Sequence, residues 1–212
     1  MSYKSIEEIF DHNEQWIKKK LQVDQDYFVK LSKRQTPHYL FIGCSDSRIS
    51  SEAIMFAEPG DVFIHRNIAN LIPVTDLNIL SVINYAVSHI KVKHIVVCGH
   101  YGCGGIKTAL KTNDMGVLNP WLGYIRDVYR LHKKELNAIK SPRKKFDRLV
   151  ELNVLEQCIN LVKVNDVQRA LLRNSIQIHA WVFDMKTGKL KDLEFNTLKV
   201  AKEIIDIYSI TK

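Results

Sequence analysis

Two short apolar runs, Tyr39–Gly43 and His94–Gly99, each end on a side chain with metal-binding chemistry, Cys44 and His100. Their brevity constrains the fold most, because apolar runs this short between polar segments read as buried strands. Between them, Asn78–Ile90 carries Ile79, Val82, Ile83, Ala86, Val87 and Ile90 on one helical face and leads directly into the second run. Helix feeding strand in this way is the βαβ pattern, which implies a parallel sheet with right-handed crossovers. Asp61–His65 supplies a further short strand. Residues just beyond the carboxyl ends of parallel strands gather in one crevice, so Cys44 and His100 are expected to meet.

The remaining segments fit around such a sheet. Residues 5–20 hold Ile6, Ile9, Phe10, Trp16 and Ile17 near helical spacing, and a second helical stretch covers 23–34, before Thr36-Pro37. Residues 1–35 thus read as an N-terminal helical arm. Its apolar stripe either docks on a partner subunit or packs on the chain's own core. A long helical stretch occupies 119–172, interrupted near Ser141-Pro142. Ile176–Asp184 and Leu190–Asn196 flank the turn Met185-Lys186-Thr187-Gly188-Lys189, a hairpin signal. A last helix spans 197–209. With no internal repeat or linker, 1–212 reads as a single domain.

Composition narrows the functional classes. Apolar residues make up 46% and charged residues 25% of the 212-residue chain, an ordinary soluble balance. No apolar run is long enough to span a bilayer, so no membrane partner is expected. The N-terminal residues lack the apolar core of a secretory signal, which points to the cytoplasm, where thiols stay reduced. The net charge of +8 invites a nucleic-acid reading. The basic residues are scattered, however, in groups such as Lys18-Lys19-Lys20 and Arg143-Lys144-Lys145 beside helical patterns, without a nucleic-acid-binding motif.

Cys44-Ser45-Asp46-Ser47-Arg48 and His100-Tyr101-Gly102-Cys103 carry the chemistry. Two thiols and an imidazole suit tetrahedral zinc, and three protein ligands without an obvious fourth leave a position open, as in catalytic zinc sites. Cys103 falls where a helix begins near Gly104, and a helix N-terminus favours thiolate. Asp46 and Arg48 set a carboxylate and a guanidinium beside the first thiol. Other readings of these cysteines are a core residue closing a strand for Cys44 and a redox pair for Cys98 with Cys103, although the latter lack the compact spacing of such pairs. A phosphatase-type anion loop needs a longer interval than the one from Cys44 to Arg48. Cys98 and Cys158 read as buried structural thiols, and His38, His65 and His179 as framework residues.

These motifs, with His65-Arg66-Asn67-Ile68-Ala69-Asn70 and Gly99-His100-Tyr101-Gly102-Cys103-Gly104-Gly105, resemble the signatures of the β-class carbonic anhydrases. The resemblance runs from Gln35 through Ile106 and resumes at His179–Asp184. It implies reversible hydration of carbon dioxide to bicarbonate and a proton by zinc-bound hydroxide. One zinc ion per subunit would be held by Cys44, His100 and Cys103. The implied fold is α/β: a mostly parallel central sheet of about four parallel strands plus an antiparallel edge strand, flanked by helices, in a homodimer or homotetramer.

Two thiolates donate more charge to zinc than imidazoles do, so something must offset a weaker acidifying metal. Asp46 can accept the hydrogen bond of the zinc-bound hydroxide while Arg48 keeps that carboxylate ionised and in place. By resemblance, Gln35, Phe63 and Tyr85 line the carbon dioxide pocket, with Gln35 reaching across a subunit interface, and the backbone N–H of Gly104 holds bicarbonate. Some family members bind bicarbonate at a second site built from tryptophan, arginine and tyrosine. The corresponding residues here are Phe41, Arg66 and Phe183, which keep the cation but lose both neutral donors. The expectation is that Asp46 stays off zinc. Alternative functions are hydrolysis of a related heterocumulene such as carbon disulfide, or a structural zinc module without catalysis.

Overall fold

The computed structural model describes residues 5–208. They group into two compact units, divided between Thr36 and Pro37. In the first, α1 (Glu7–Val23) and α2 (Tyr27–Lys33) are joined by a turn in which Asp24 accepts from the Lys30 ammonium at 2.7 Å. Trp16 packs edge-on against Phe28, with ring centroids 5.1 Å apart. Ile9 and Phe10 of α1 are exposed.

The second unit is built on a five-stranded sheet in the order β2-β1-β3-β4-β5. Its strands are β1 (Tyr39–Cys44), β2 (Val62–Asn67), β3 (His94–His100), β4 (Gln177–Asp184) and β5 (Lys189–Asp192). The first four run parallel and β5 pairs antiparallel with β4. This is the α/β sheet with an antiparallel edge expected from the sequence. The β4–β5 turn forms because Asp184 Oδ1 accepts the Lys186 N–H, Oδ2 accepts the Thr187 hydroxyl, and Gly188 takes φ 70°. β5 is shorter than the sequence suggested, since Asp192 Oδ1 takes the N–H of Glu194, whose φ of 55° turns the chain out of the sheet.

Side chains alternate across the strands. Leu40 and Ile42, Ile95 and Val97, and Ile178, Ala180 and Val182 point into the main core. That core is completed by α4 (Leu77–Asn84), α6 (Asn119–Leu131), α8 (Pro142–Val162) and α9 (Asn165–Leu172). Phe41, Val96 and Cys98 face the other way, into a small cluster with Trp181, Phe183 and Met55 of α3 (Ser51–Met55). The remaining helices are α5 (Gly104–Ala109), α7 (Lys133–Ala138) and α10 (Thr197–Tyr208). Asp76 starts α4 by accepting the Asn78 N–H, and Ser141 with Pro142 starts α8.

Two helical readings are refined. Asn78–Ile90 is not one uniform helix: α4 widens into a π-helical turn over Tyr85–Ile90 and ends on Lys91 at φ 66°. The stretch 119–172 breaks at His132 and at Lys163-Val164 as well as at Ser141. Among the described residues, no helix is long and apolar enough to cross a membrane.

Candidate metal centre

Cys44 ends β1, His100 ends β3, and Cys103 caps α5 at its N-terminus. Because β1 and β3 are parallel neighbours, their carboxyl ends coincide and three ligands distant in sequence converge. Their sulfur and nitrogen atoms all lie within 4.8 Å of one another, and the two sulfurs are 3.9 Å apart. All three residues are buried. His100 Nδ1 sits 3.2 Å from the Tyr101 carbonyl, which assigns the ring proton there and leaves a lone pair on Nε2. Nε2 is buried without a hydrogen-bond partner. A buried, unpartnered nitrogen beside two thiols is what a metal ion would satisfy.

One of the two thiols, Cys44, already leans toward the thiolate that binds metal. The hydrogen bond between the two sulfurs is the main cause that holds the Cys44 thiol well below the usual range despite burial. The shared proton and burial push Cys103 up. Cys98 is pushed up to about 12 by burial, and Cys158 is likewise raised, consistent with inert core thiols. All four cysteines are free.

Asp46 stands beside this cluster with Oδ2 3.8 Å from His100 Nε2. Arg48 grips it three times: its backbone N–H and Nε donate to Oδ1 at 3.0 and 2.9 Å, and Nη2 donates to Oδ2 at 2.6 Å. Those bonds outweigh desolvation and hold the carboxyl far below the usual carboxylate range. Cys44, His100, Cys103, Asp46 and Arg48 therefore form one constellation.

The other residues singled out in the sequence lie as follows. Arg66 donates to the Cys44 carbonyl at 2.9 Å and to the Asp46 carbonyl at 2.7 Å, so its guanidinium braces the backbone of the Cys44–Asp46 loop. Phe41 and Phe183 share the small apolar cluster on the opposite sheet face. The Phe63 and Tyr85 rings lie 5.9 Å apart, with Tyr85 half exposed at the start of the π turn. Gly104 opens α5 with free space where a side chain would stand. Gln35 belongs to the first unit. His65 and His179 are hydrogen-bonded framework residues: His65 Nε2 lies 3.3 Å from the Asn67 amide and His179 Nε2 lies 3.1 Å from His94 Nδ1.

The sequence reading missed two supports of the centre. The Tyr101 hydroxyl donates to Glu151 at 2.6 Å, and Glu151 also receives Lys191 and Arg148 at 2.7 and 3.0 Å. Ala69, which lies against Gly105 of α5, sits in a left-handed turn. The His65–Asn70 motif marked that segment but not its packing on α5.

A family model for carbonic anhydrase matches residues 39–190. A carbonic anhydrase of Emericella nidulans is 52% identical over 207 residues, covering 97% of this chain and 91% of that relative. Among solved structures, a tetrameric β-carbonic anhydrase from Sordaria macrospora superposes with a TM-score of 0.86 at 38% identity, covering 91% of this chain and 98% of that one. A β-carbonic anhydrase of Aspergillus fumigatus gives 0.89 at 36% identity, covering 95% and 97%. The chain belongs to the β-class carbonic anhydrases. Its activity is that of the family, reversible hydration of carbon dioxide to bicarbonate and a proton.

Proposed function

We propose that one zinc ion per subunit is held by Cys44, His100 and Cys103 and that carbon dioxide is hydrated beside it. The observation that carries this reading is the buried, unpartnered Nε2 of His100 lying with two sulfurs inside 4.8 Å. When bound, zinc supplies Lewis acidity, which brings the pKa of water to about 7 in the three-histidine sites of carbonic anhydrases of another class.

The chain's own residues do the rest. Asp46, kept ionised by Arg48, accepts the proton-side hydrogen bond of the attacking oxygen and orients it toward the substrate carbon. Arg48 uses three bonds to hold that carboxylate, which keeps Asp46 off the ligand cluster and leaves the fourth metal position to the reaction. Arg66 fixes the carbonyls on both sides of Ser45, so the ligand Cys44 and the acceptor Asp46 keep one spacing. With its two neutral partners replaced by Phe41 and Phe183, Arg66 is a brace here rather than a bicarbonate anchor. Phe63 and Tyr85 form an apolar wall for a non-polar substrate, Gln35 from a neighbouring subunit donates to the developing carboxylate, and the Gly104 N–H takes the product anion.

The working form is a homodimer or homotetramer in which the N-terminal arm, residues 1–35, docks on a partner subunit. Support comes from the tetrameric Sordaria relative and from the exposed Ile9 and Phe10 of α1. A cytoplasmic location fits the four free thiols.

Metal analysis paired with hydration kinetics tests the reading. Purified protein should carry one zinc per chain, and Cys44→Ala should lose both zinc and activity. A Cys44→Ala protein that retains full zinc and full hydration would exclude this ligand set.

A further inference from the structure

Beyond the carboxyl ends of β3 and β4 lies a cleft of about 560 Å3. Small-molecule sites measure about 300–1,000 Å3, and parallel α/β sheets bind ligands at this end of their strands. The wall of the cleft nearest the metal centre is Arg48. Asp46 engages Nε and Nη2 of that guanidinium, Nη1 takes no part in the grip, and the side chain is 61% exposed. One edge of the guanidinium therefore serves Asp46 and the other remains for a second acceptor. Two more cations line the cleft: Arg143 in the first turn of α8, which reaches Asp147 only at 3.9 Å, and Lys186 in the β4–β5 turn.

Charge and shape narrow the ligand. Against these three cations stand two carboxylates, Asp147 and Asp184. Asp184 already accepts the Lys186 N–H and the Thr187 hydroxyl. The surplus of one positive charge matches a monoanion, whereas a doubly charged phosphate would meet two carboxylates with too few cations between them. The fork of an arginine fits a planar carboxylate bidentately. The remaining walls are apolar. Phe146 and Met185 line the cleft, and Tyr101 contributes its ring, since its hydroxyl is given to Glu151 at 2.6 Å. Gly102, at φ 77°, adds no side chain.

We propose that this cleft binds a small organic carboxylate with an apolar body, whose anionic end takes the edge of Arg48 that Asp46 leaves unused. An anion there draws the guanidinium away from Asp46, so occupancy loosens that carboxylate and slows hydration. The slowing rests on the role given to Asp46 above; the binding does not.

Benzoate is the probe, titrated into zinc-loaded wild type, Arg143→Gln and Lys186→Gln proteins, with acetate as the control that lacks a ring. Methionine-methyl NMR reads the site directly, because Met185 is one of four methionines and Met185→Leu assigns its signal. Benzoate should shift the Met185 methyl saturably, and acetate should bind more weakly. Each glutamine variant should weaken benzoate binding about 3- to 10-fold while its own hydration rate stays that of wild type. Benzoate should also lower kcat, with the half-inhibiting concentration rising by the same factor in each variant. An unmoved Met185 methyl overturns the proposal, and so does equal binding to wild type and both variants, which would place benzoate on the metal. Variant-sensitive binding that leaves kcat unchanged overturns the link to Asp46. The same binding in a folded, zinc-loaded protein without hydration activity overturns the reading of Asp46 and upholds the carboxylate site.

Discussion

The carboxylate of Asp46 takes three hydrogen bonds from Arg48, yet its Oδ2 remains 3.8 Å from the one ring nitrogen of His100 that lacks a partner. On the proposed zinc reading, that placement makes the residue an acceptor for whatever oxygen occupies the open metal position. Asp46→Asn keeps the shape and loses the charge, so we expect kcat/KM for hydration to fall about 10²- to 10⁴-fold with zinc content unchanged. Steady-state kinetics with metal analysis of the same sample check this, and loss of zinc alongside activity would assign Asp46 a structural role. At this scale the sequence was highly legible, because cysteine, histidine and an Asp-x-Arg pair at strand ends have few other uses. Ala69 was not legible. An alanine does not announce a left-handed turn, since that turn depends on α6 and α8 arriving from elsewhere in the chain.

Helix α8 shows how one element ties the sheet to the centre. It buries residues around much of its circumference, including Leu149, Val150, Glu151, Asn153, Val154 and Gln157, so it lacks a clean amphipathic stripe, and the sequence marked it as helical without revealing what it covers. Its Val154 packs on Gly99, where a Cβ would stand 2.6 Å from Val154 Cγ2. Gly99→Ala should therefore destabilise the fold by about 1–3 kcal/mol, and Val154→Ala in the same chain should recover part of that loss in denaturant unfolding. Glu151 of α8 offers a pH test. Burial pushes its carboxyl up, but hydrogen bonds from Lys191, Tyr101 and Arg148 outweigh burial and leave it below the usual value. A depressed folded pKa stabilises fully above the unfolded value, about 4.3, and that stabilisation disappears as pH falls through the folded value. Metal-free Glu151→Gln should be about 1–3 kcal/mol less stable than metal-free wild type at pH 7, with the gap closing below about pH 4. An equal gap at both pH values would contradict the assignment. The π turn at Tyr85–Ile90 escaped sequence reading because its apolar spacing differs little from that of an α-helix.

Across the whole molecule, the parallel order β2-β1-β3-β4 does the assembling: it turns two strand ends far apart in sequence into one candidate metal centre. The parallel sense of those strands was legible as a βαβ pattern, whereas their order and the cover of the Phe41 face were not, since the alternation of a strand does not state what lies beside or beyond it. Zinc bound only to the folded chain adds stability by mass action, about 2.7 kcal/mol at a hundredfold excess over Kd. Chelation should therefore lower the melting temperature, and added Zn2+ should restore it. Sedimentation should give a mass that is a multiple of the 24.5 kDa chain. The most direct measurement is stopped-flow hydration of carbon dioxide by zinc-loaded wild-type protein from neutral to mildly alkaline pH. Rapid turnover that a chelator abolishes and Zn2+ restores is the predicted result. A fully zinc-loaded, folded sample with no hydration above the buffer rate would contradict the account.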